Sequence, residues 1–512
     1  MTDKTQTGGF RVWLRQRHEI LTLGAILVVA LALRLYQLEA SSFWIDELTQ
    51  IRWSRLPFGR MLADVMGGPG QAPLDYIVTH YVYYYIGRSE GILRLPAVVW
   101  GVLSVAAVYG LGRRMFDKTT GLLAAALLAI LPIHIYYSQE MRPYSLAVLM
   151  VLLATLAFHR ALSRNTRGAW ALYGGTLVVG MYAHYHVAVV GILHGAYLLW
   201  MALAKWLPWR SLRPYLVAAG IAGLLFLPWV AWDIYYMESY LKGLLTTGYT
   251  FVFPELSNLV QSLSASLGIT YPFTADNPLT WLVGTACALA AGVALAIVRK
   301  SKRRNELALM AVVSLGGATC AVLLDYVGGY PFLGRRIVPF VPLVVLLACA
   351  AYVALVRWVF RRLAHRPADW VVGALAATVL LGFSVGMLQG SLASTYKQRK
   401  QDWRGVSRYL LQHAEPEDVV LLRVTFDVEF YAPELSGQIV ELRNIKTVRE
   451  AAKTHPRVWI VDWSSALDRY VPDVGEWVES EKPLRIKGFT GLRLYVYSET
   501  LTPQELEDSL KR

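Results

Sequence analysis

Cysteine is nearly missing from this chain: its three copies, Cys287, Cys320 and Cys349, lie inside apolar stretches at spacings that match no metal or redox pattern. They read as small core side chains, and the redox compartment cannot be read from them. Charge is scarce too, at 17% of 512 residues against 55% hydrophobic residues and a mean hydropathy of +0.40. That balance excludes a single soluble domain and places the chain in the polytopic membrane class. No glycine-rich phosphate-gripping motif stands in the C-terminal tail, and no repeat of about 20 to 50 residues occurs anywhere. A small-residue cleavage pattern is also absent after the first apolar segment, which reads as a retained span and not a cleaved signal.

What the chain does have is long apolar runs. Eleven can be placed, at 19–38, 92–112, 121–137, 143–162, 169–183, 186–204, 214–233, 279–298, 307–325, 337–356 and 369–388. Residues 170–203 form one run that would make a helix of about 50 Å, too long for a bilayer core of about 30 Å. It is therefore split at His184-Tyr185-His186. Basic clusters around Arg15, Arg113, Arg164, Arg210, Lys302 and Arg361 occupy every second loop, and the positive-inside rule makes those loops cytoplasmic. The N-terminus is then inside, and the loop 39–91 and the tail 389–512 lie outside, an arrangement that requires an odd number of crossings. The net charge of +14 is mostly this topology, with anionic lipid headgroups as its partners and no nucleic acid.

The fold class expected is a polytopic α-helical membrane protein of about eleven spans with a small extracytoplasmic α/β domain. Residues 1–388 form the membrane domain, with 39–91 as its first outer loop, and 389–512 form the outer domain. Within the first loop, Leu56–Met66 is amphipathic and Tyr76, Tyr81, Tyr83, Tyr84 and Tyr85 cluster, as suits a segment lying in the interface plane. A second outer loop, 234–278, is poor in charge and reads as a mobile cover over a membrane-level cavity. In the tail, strand-like Val419–Val424, Val458–Asp462 and Leu492–Tyr497 alternate with helix-like Trp403–His413 and Val448–His455.

The ionisable residues of the outer loops carry the chemistry. Asp46 and Glu47 follow Trp44 in the first loop, where a carboxylate could accept a proton from a hydroxyl or hold a divalent cation. The bland alternative is an acidic pair capping a short helix. Glu140 and Arg142 stand in the tight turn 136–144, either facing a cavity or pairing with each other. His184, Tyr185 and His186 mark the next outer turn and could donate hydrogen bonds to a phosphate or sugar, or anchor the interface. Arg335 and Arg336 precede a span on the side where few cations are expected; a lipid phosphate would explain them, as would snorkelling. Acids for an acceptor and cations for a phosphate leaving group, all on one face, make a glycosyl-transfer constellation.

Seven ordered segments carry a family likeness: Ser42–Glu47, Ala72-Pro73-Leu74-Asp75-Tyr76, Leu93-Arg94-Leu95-Pro96, Gly112–Phe116, Ser138–Tyr144, Gly334–Pro339 and Asp402-Trp403-Arg404. With them the chain resembles the GT-C type polyprenyl-phosphate-sugar-dependent glycosyltransferases, the group of the protein O-mannosyltransferases and the aminoarabinose transferase. The resemblance implies that Asp46 is the base that deprotonates the acceptor, with Glu47 beside it and Glu140 as a further acid. It implies donor-phosphate contacts from Arg142, Arg335, Arg336, His184 and Tyr185, and a substrate pocket with Trp44, Gln71, Tyr76 and Tyr144. The family's His-Pro-Pro-Leu stretch is Gln71-Ala72-Pro73-Leu74 here, so donor or acceptor handling differs. A Trp-Trp-Asp-Tyr-Gly motif is absent, which weakens the likeness to the oligosaccharyltransferase branch.

The activity expected is inverting transfer of a sugar from a polyprenyl-phosphate donor to a glycan, lipid or protein hydroxyl, outside the inner (plasma) membrane. No cofactor is required; a divalent cation on Asp46 and Glu140 stays open. The rival class is a transporter or flippase for lipid-linked substrates, but such a protein should carry its ionisable groups near the middle of its spans. A third reading gives the outer domain a cell-wall partner and leaves the membrane part a degenerate scaffold.

Overall fold

The computed structural model describes residues 4–67, 71–246, 304–327, 334–363, 400–463, 467, 471–486 and 488–510. Two compact units share them. The membrane unit comprises Met1–Tyr36, Pro57–Gly87 and Ile92–Thr395; the sheet unit comprises Gln37–Leu56, Arg88–Gly91 and Tyr396–Arg512. This division departs from a cut at 388 with all of 39–91 on the membrane side, because residues 37–56 and 88–91 pack with the tail.

The membrane unit is helical, since backbone in hydrocarbon must satisfy its own hydrogen bonds. Six helices among the described residues are long and apolar enough to cross a membrane, and a bent pair raises the number to seven. They are α1 (Lys4–Leu35), α5 (Glu90–Met115), α8 (Tyr144–Arg164), α10 (His186–Leu203), α11 (Arg213–Thr246) and α13 (Val341–Leu363), with α6 (Lys118–Ile130) and α7 (Pro132–Ser138) as the pair. Helices α9 (Arg167–Ala183) and α12 (Arg304–Val327) occupy two more of the expected spans. The spans at 279–298 and 369–388, and most of the 234–278 cover, lie outside the described residues.

Two details follow from local chemistry. The long run 170–203 breaks where expected: His184 takes an extended backbone, with φ −168° and ψ 138°, and α10 starts at His186. The span expected at 121–137 is not straight, because α6 and α7 meet at 63°. Pro132 lacks an N–H and so cannot continue the α6 ladder, but its fixed φ suits the first turn of α7. Helices α3 (Phe58–Gly67) and α4 (Pro73–Tyr85) follow the sheet-unit segment; Pro73 starts α4 in the same way.

The sheet unit holds five strands in the order β2-β1-β3-β5-β4, where β1 is Val419–Leu422, β2 Ile439–Glu441, β3 Val458–Trp463, β4 Leu484–Ile486 and β5 Leu492–Tyr497. Strands β1, β2 and β3 run parallel, and β5 is antiparallel to both β3 and β4. Residues 419–422 are buried throughout, as a parallel strand covered on both faces requires. Helices α14 (Trp403–His413), α15 (Phe426–Glu429), α16 (Ile445–Thr454), α17 (Pro472–Glu481) and α18 (Pro503–Ser509) complete the unit, with α2 (Ile45–Ser54) contributed by the first loop. Trp403 and Trp459 are fully buried, and the Trp459 indole N–H donates to Asp418 at 3.0 Å.

Candidate active site

In the membrane unit, three short segments that follow or precede helices bring the expected cations together. The turn after α7 carries Glu140, Arg142 and Tyr144, and the Arg142 N–H donates to the Glu140 carbonyl at 2.8 Å. The Tyr144 ring lies 5.0 Å from Tyr137 and 6.1 Å from His184, centroid to centroid. Arg335, in the single 3-10 turn Gly334–Arg336, sits 6.0 Å from the Tyr144 ring centroid. His184 stacks on His186 at 4.5 Å, and His186 meets Phe340 edge-on at 5.7 Å. Burial first, then the positive charges of His186, Arg142 and Arg336, holds the His184 imidazole well below its usual value. It is therefore neutral at physiological pH, and its Nδ1 accepts the His186 N–H at 3.3 Å, which leaves its proton on Nε2.

Gln71, Tyr76 and Tyr185 form an adjoining knot. The Gln71 carbonyl accepts from the Tyr185 hydroxyl at 2.8 Å and from the Trp229 indole N–H at 3.0 Å. The Tyr76 hydroxyl donates to Gln71 Oε1 at 2.7 Å. Trp229 was not among the expected residues; it stands 158 positions from its partner, and nothing local in the sequence points to it. The Gln71-Ala72 stretch that departs from the family pattern is thus pinned at its carbonyl by two donors from the α9–α10 turn and α11.

Trp44, Asp46 and Glu47 belong to the sheet unit. Trp44 is the N-cap of α2, with Asp46 and Glu47 in its first turn, where carboxylates complement the helix dipole. Glu47 is 1% exposed and accepts the Trp44 N–H at 3.3 Å, so the capping role weighed for the pair falls to Glu47. Asp46 is half-buried. Lys400 Nζ lies 3.5 Å from the Trp44 ring centroid, a close cation–π contact.

The Asp402-Trp403-Arg404 segment explains why this loop packs with the tail. Asp402 caps α14 through the Gly405 N–H at 3.0 Å, and Trp403 fills the core. Arg404 donates to the carbonyls of Glu39 and Ala40 and pairs with Glu90 at 3.2 Å. Phe43 donates its N–H to the Tyr431 hydroxyl at 2.7 Å, and that hydroxyl donates to Glu90 at 3.0 Å. Among the described residues no three His, Cys, Asp or Glu side chains gather as a metal site.

Residues 71–232 match the family described as dolichyl-phosphate-mannose-protein mannosyltransferase. The fold matches solved structures across nearly the whole chain. ArnT from Cupriavidus metallidurans in the apo state aligns with TM-score 0.58 at 14% identity, covering 92% of this chain and 97% of that one. The same protein bound to undecaprenyl phosphate aligns with TM-score 0.54 at 14% identity, covering 93% and 98%. The oligosaccharyltransferase AglB from Archaeoglobus fulgidus, in complex with an inhibitory peptide and a dolichol-phosphate, gives TM-score 0.54 at 12% identity, covering 88% and 70%. The chain has the GT-C fold of these proteins. No curated protein matches it by sequence. The expected fold class, membrane helices with a small α/β domain, holds, and the long apolar helices mark a multi-pass membrane protein.

Proposed function

We propose that the enzyme moves a sugar from a polyprenyl-phosphate donor to an acceptor hydroxyl on the non-cytosolic side of the plasma membrane, with inversion at the anomeric carbon. The observation that carries this reading is the gathering of Arg142, Arg335 and Arg336 around Tyr144 and neutral His184, beside buried Glu140. Guanidinium groups grip a phosphate through paired N–H donors, and His184 adds a neutral donor at Nε2. Solved relatives of the fold carry undecaprenyl phosphate or a dolichol-phosphate, lipids of the class this cluster would hold.

In the reaction, the acceptor oxygen attacks the anomeric carbon as its proton passes to the Asp46 carboxylate. The bond from that carbon to the phosphate oxygen breaks, and the electron pair leaves with polyprenyl phosphate, whose growing charge the arginines offset. Glu140 supports the positive character that builds at the sugar. Glu47 keeps the first turn of α2 in place and so holds Asp46. The acceptor is a hydroxyl on a glycan, lipid or protein.

The test is transfer by the purified protein in liposomes supplied with a set of labelled polyprenyl-phosphate sugars and a cell-envelope acceptor extract. The expected result is label in the acceptor, with anomeric configuration opposite to that of the donor and polyprenyl phosphate released in equal amount. Retention of configuration, or label that crosses the bilayer still lipid-linked, would replace this mechanism with another.

A further inference from the structure

Pro132 interrupts the α6–α7 span, and an interrupted helix leaves carbonyls without partners. In a continuous helix the N–H of residue 132 would serve Leu128 and that of residue 133 would serve Ala129. Pro132 has no N–H, and at a bend of 63° the ladder stops. Orphan carbonyls at membrane depth are costly and must be met from another element.

Arg34, near the end of α1, meets them. Its side chain is fully buried; Nη1 donates to the Ala129 carbonyl at 3.0 Å and Nη2 to the Leu128 carbonyl at 3.3 Å. Nη2 also lies 2.6 Å from Nδ1 of His134 on α7, which must accept, so that imidazole carries its proton on Nε2. One planar fork thus joins both sides of the break, which a lysine ammonium on a single point cannot do. On the far side of α7, the Ser138 hydroxyl donates back to the His134 carbonyl at 2.5 Å. Gln139 then returns to α1: its Nε2 donates to the carbonyls of Arg34 at 3.0 Å and Tyr36 at 2.8 Å. Gly101 on α5 leaves the room this needs, since a Cβ there would lie 2.7 Å from Ser138 Cβ and 3.0 Å from Arg34 Nε.

We infer that Arg34 is a positioning residue of the transferase: by bridging the backbone gap at Pro132 it sets the direction of α7 and so places the turn that carries Glu140 and Arg142. The inference rests on the reading of that turn as the donor end of the site. The experiment compares Arg34→Met, Arg34→Lys and Gln139→Leu with wild type in full-length purified protein. Amide hydrogen exchange is read on the peptide 131–143 and on strands 419–422 and 458–463, and sugar transfer is counted per folded molecule.

The expected result is exchange at least tenfold faster at 131–143 and unchanged in the strands, with transfer at least tenfold lower, in Arg34→Met. Arg34→Lys and Gln139→Leu should fall between it and wild type, and they decide the matter if Arg34→Met does not accumulate. Unchanged exchange at 131–143 overturns the inference. So does transfer per folded molecule at the wild-type level, because a role in folding alone lowers only the yield. Faster exchange at 131–143 in a protein whose wild type transfers no sugar supports the placement of the turn by Arg34 and rejects the proposed reaction instead.

Discussion

The two units bury charge in different ways. In the membrane unit Arg34 is enclosed among main-chain carbonyls and a neutral imidazole. In the sheet unit Arg457 donates to one carbonyl, that of His413 at 3.1 Å, but is held chiefly by a formal opposite charge, Asp418 at 2.8 Å, with the Trp459 indole as a further donor to the same carboxylate. The difference follows from what each environment supplies. A helix broken at membrane depth exposes carbonyl dipoles that nothing else can satisfy, so the break itself makes a socket for a guanidinium. A compact α/β domain has a regular ladder with few open carbonyls, and a buried cation there needs a carboxylate. Asp427 of the sheet unit shows a third way, in which the buried group keeps its proton and carries no charge. It is fully buried, neither of its oxygens has a hydrogen-bond partner among the described residues, and the charge of Arg52 acts against its burial.

The proposed base and the proposed phosphate cations can each be tested alone. Asp46→Asn is the largest expected effect, a loss of about 10³-fold in transfer, as removal of a general base predicts. Glu47→Gln should lower the yield of folded protein while transfer per folded molecule stays within about tenfold, because that side chain is spent on the Trp44 N–H. Equal losses in the two variants, measured in liposomes at matched protein, would break the distinction between a chemical and a capping acid.

Next in size, Arg336→Lys should lower transfer about 10²-fold with the charge retained, since one ammonium cannot copy a two-pronged phosphate contact. Wild-type transfer in that variant would remove Arg336 from the donor site and leave it a headgroup anchor. The smallest effect on transfer, and one on stability instead, concerns Asp427, whose carboxyl burial pushes up to about 8, with Arg52 working in the opposite direction. The folded state holds its proton where the unfolded state, with an ordinary value of about 4, has released it. Stability contributed by this group is complete below about pH 4 and declines by up to about 1.4 kcal/mol per pH unit as pH rises towards 8. Asp427→Asn should flatten that decline, followed as thermal unfolding of the purified protein between pH 5 and 8; an unchanged slope would assign the dependence to other groups.

Much of the framework was legible in the sequence because its signals are local. Apolar runs of span length, the break at His184-Tyr185, helix 403–413 and strand 492–497 all stand where periodicity and turn chemistry put them. The short strands 439–441 and 484–486 were missed, for three residues carry too little pattern to register. The span at 121–137 is a bent pair, because Pro132 cannot continue the α6 ladder, a break that hydropathy alone does not register. Of the candidate site, the residue types were legible and their mutual placement only in part: Arg142, His184 and Arg336 were expected on one face and lie within electrostatic reach of one another, whereas the Tyr144 contacts and the Trp229 tie to Gln71 were not foreseen.

Composition and spacing alone determined that this chain lives in a membrane, crosses it many times and gathers ionisable groups in the loops between its spans, because the cost of burying polar backbone or charge in hydrocarbon is written into every span. Tertiary structure alone decided what those groups do for one another. Arg34 reaches carbonyls 94 and 95 residues away, Arg404 ties down carbonyls 364 and 365 residues away, and the first-loop acids pack into the sheet unit. Hydrogen bonds of that span depend on which helices and strands become neighbours, and no local pattern in a sequence encodes a partner so distant.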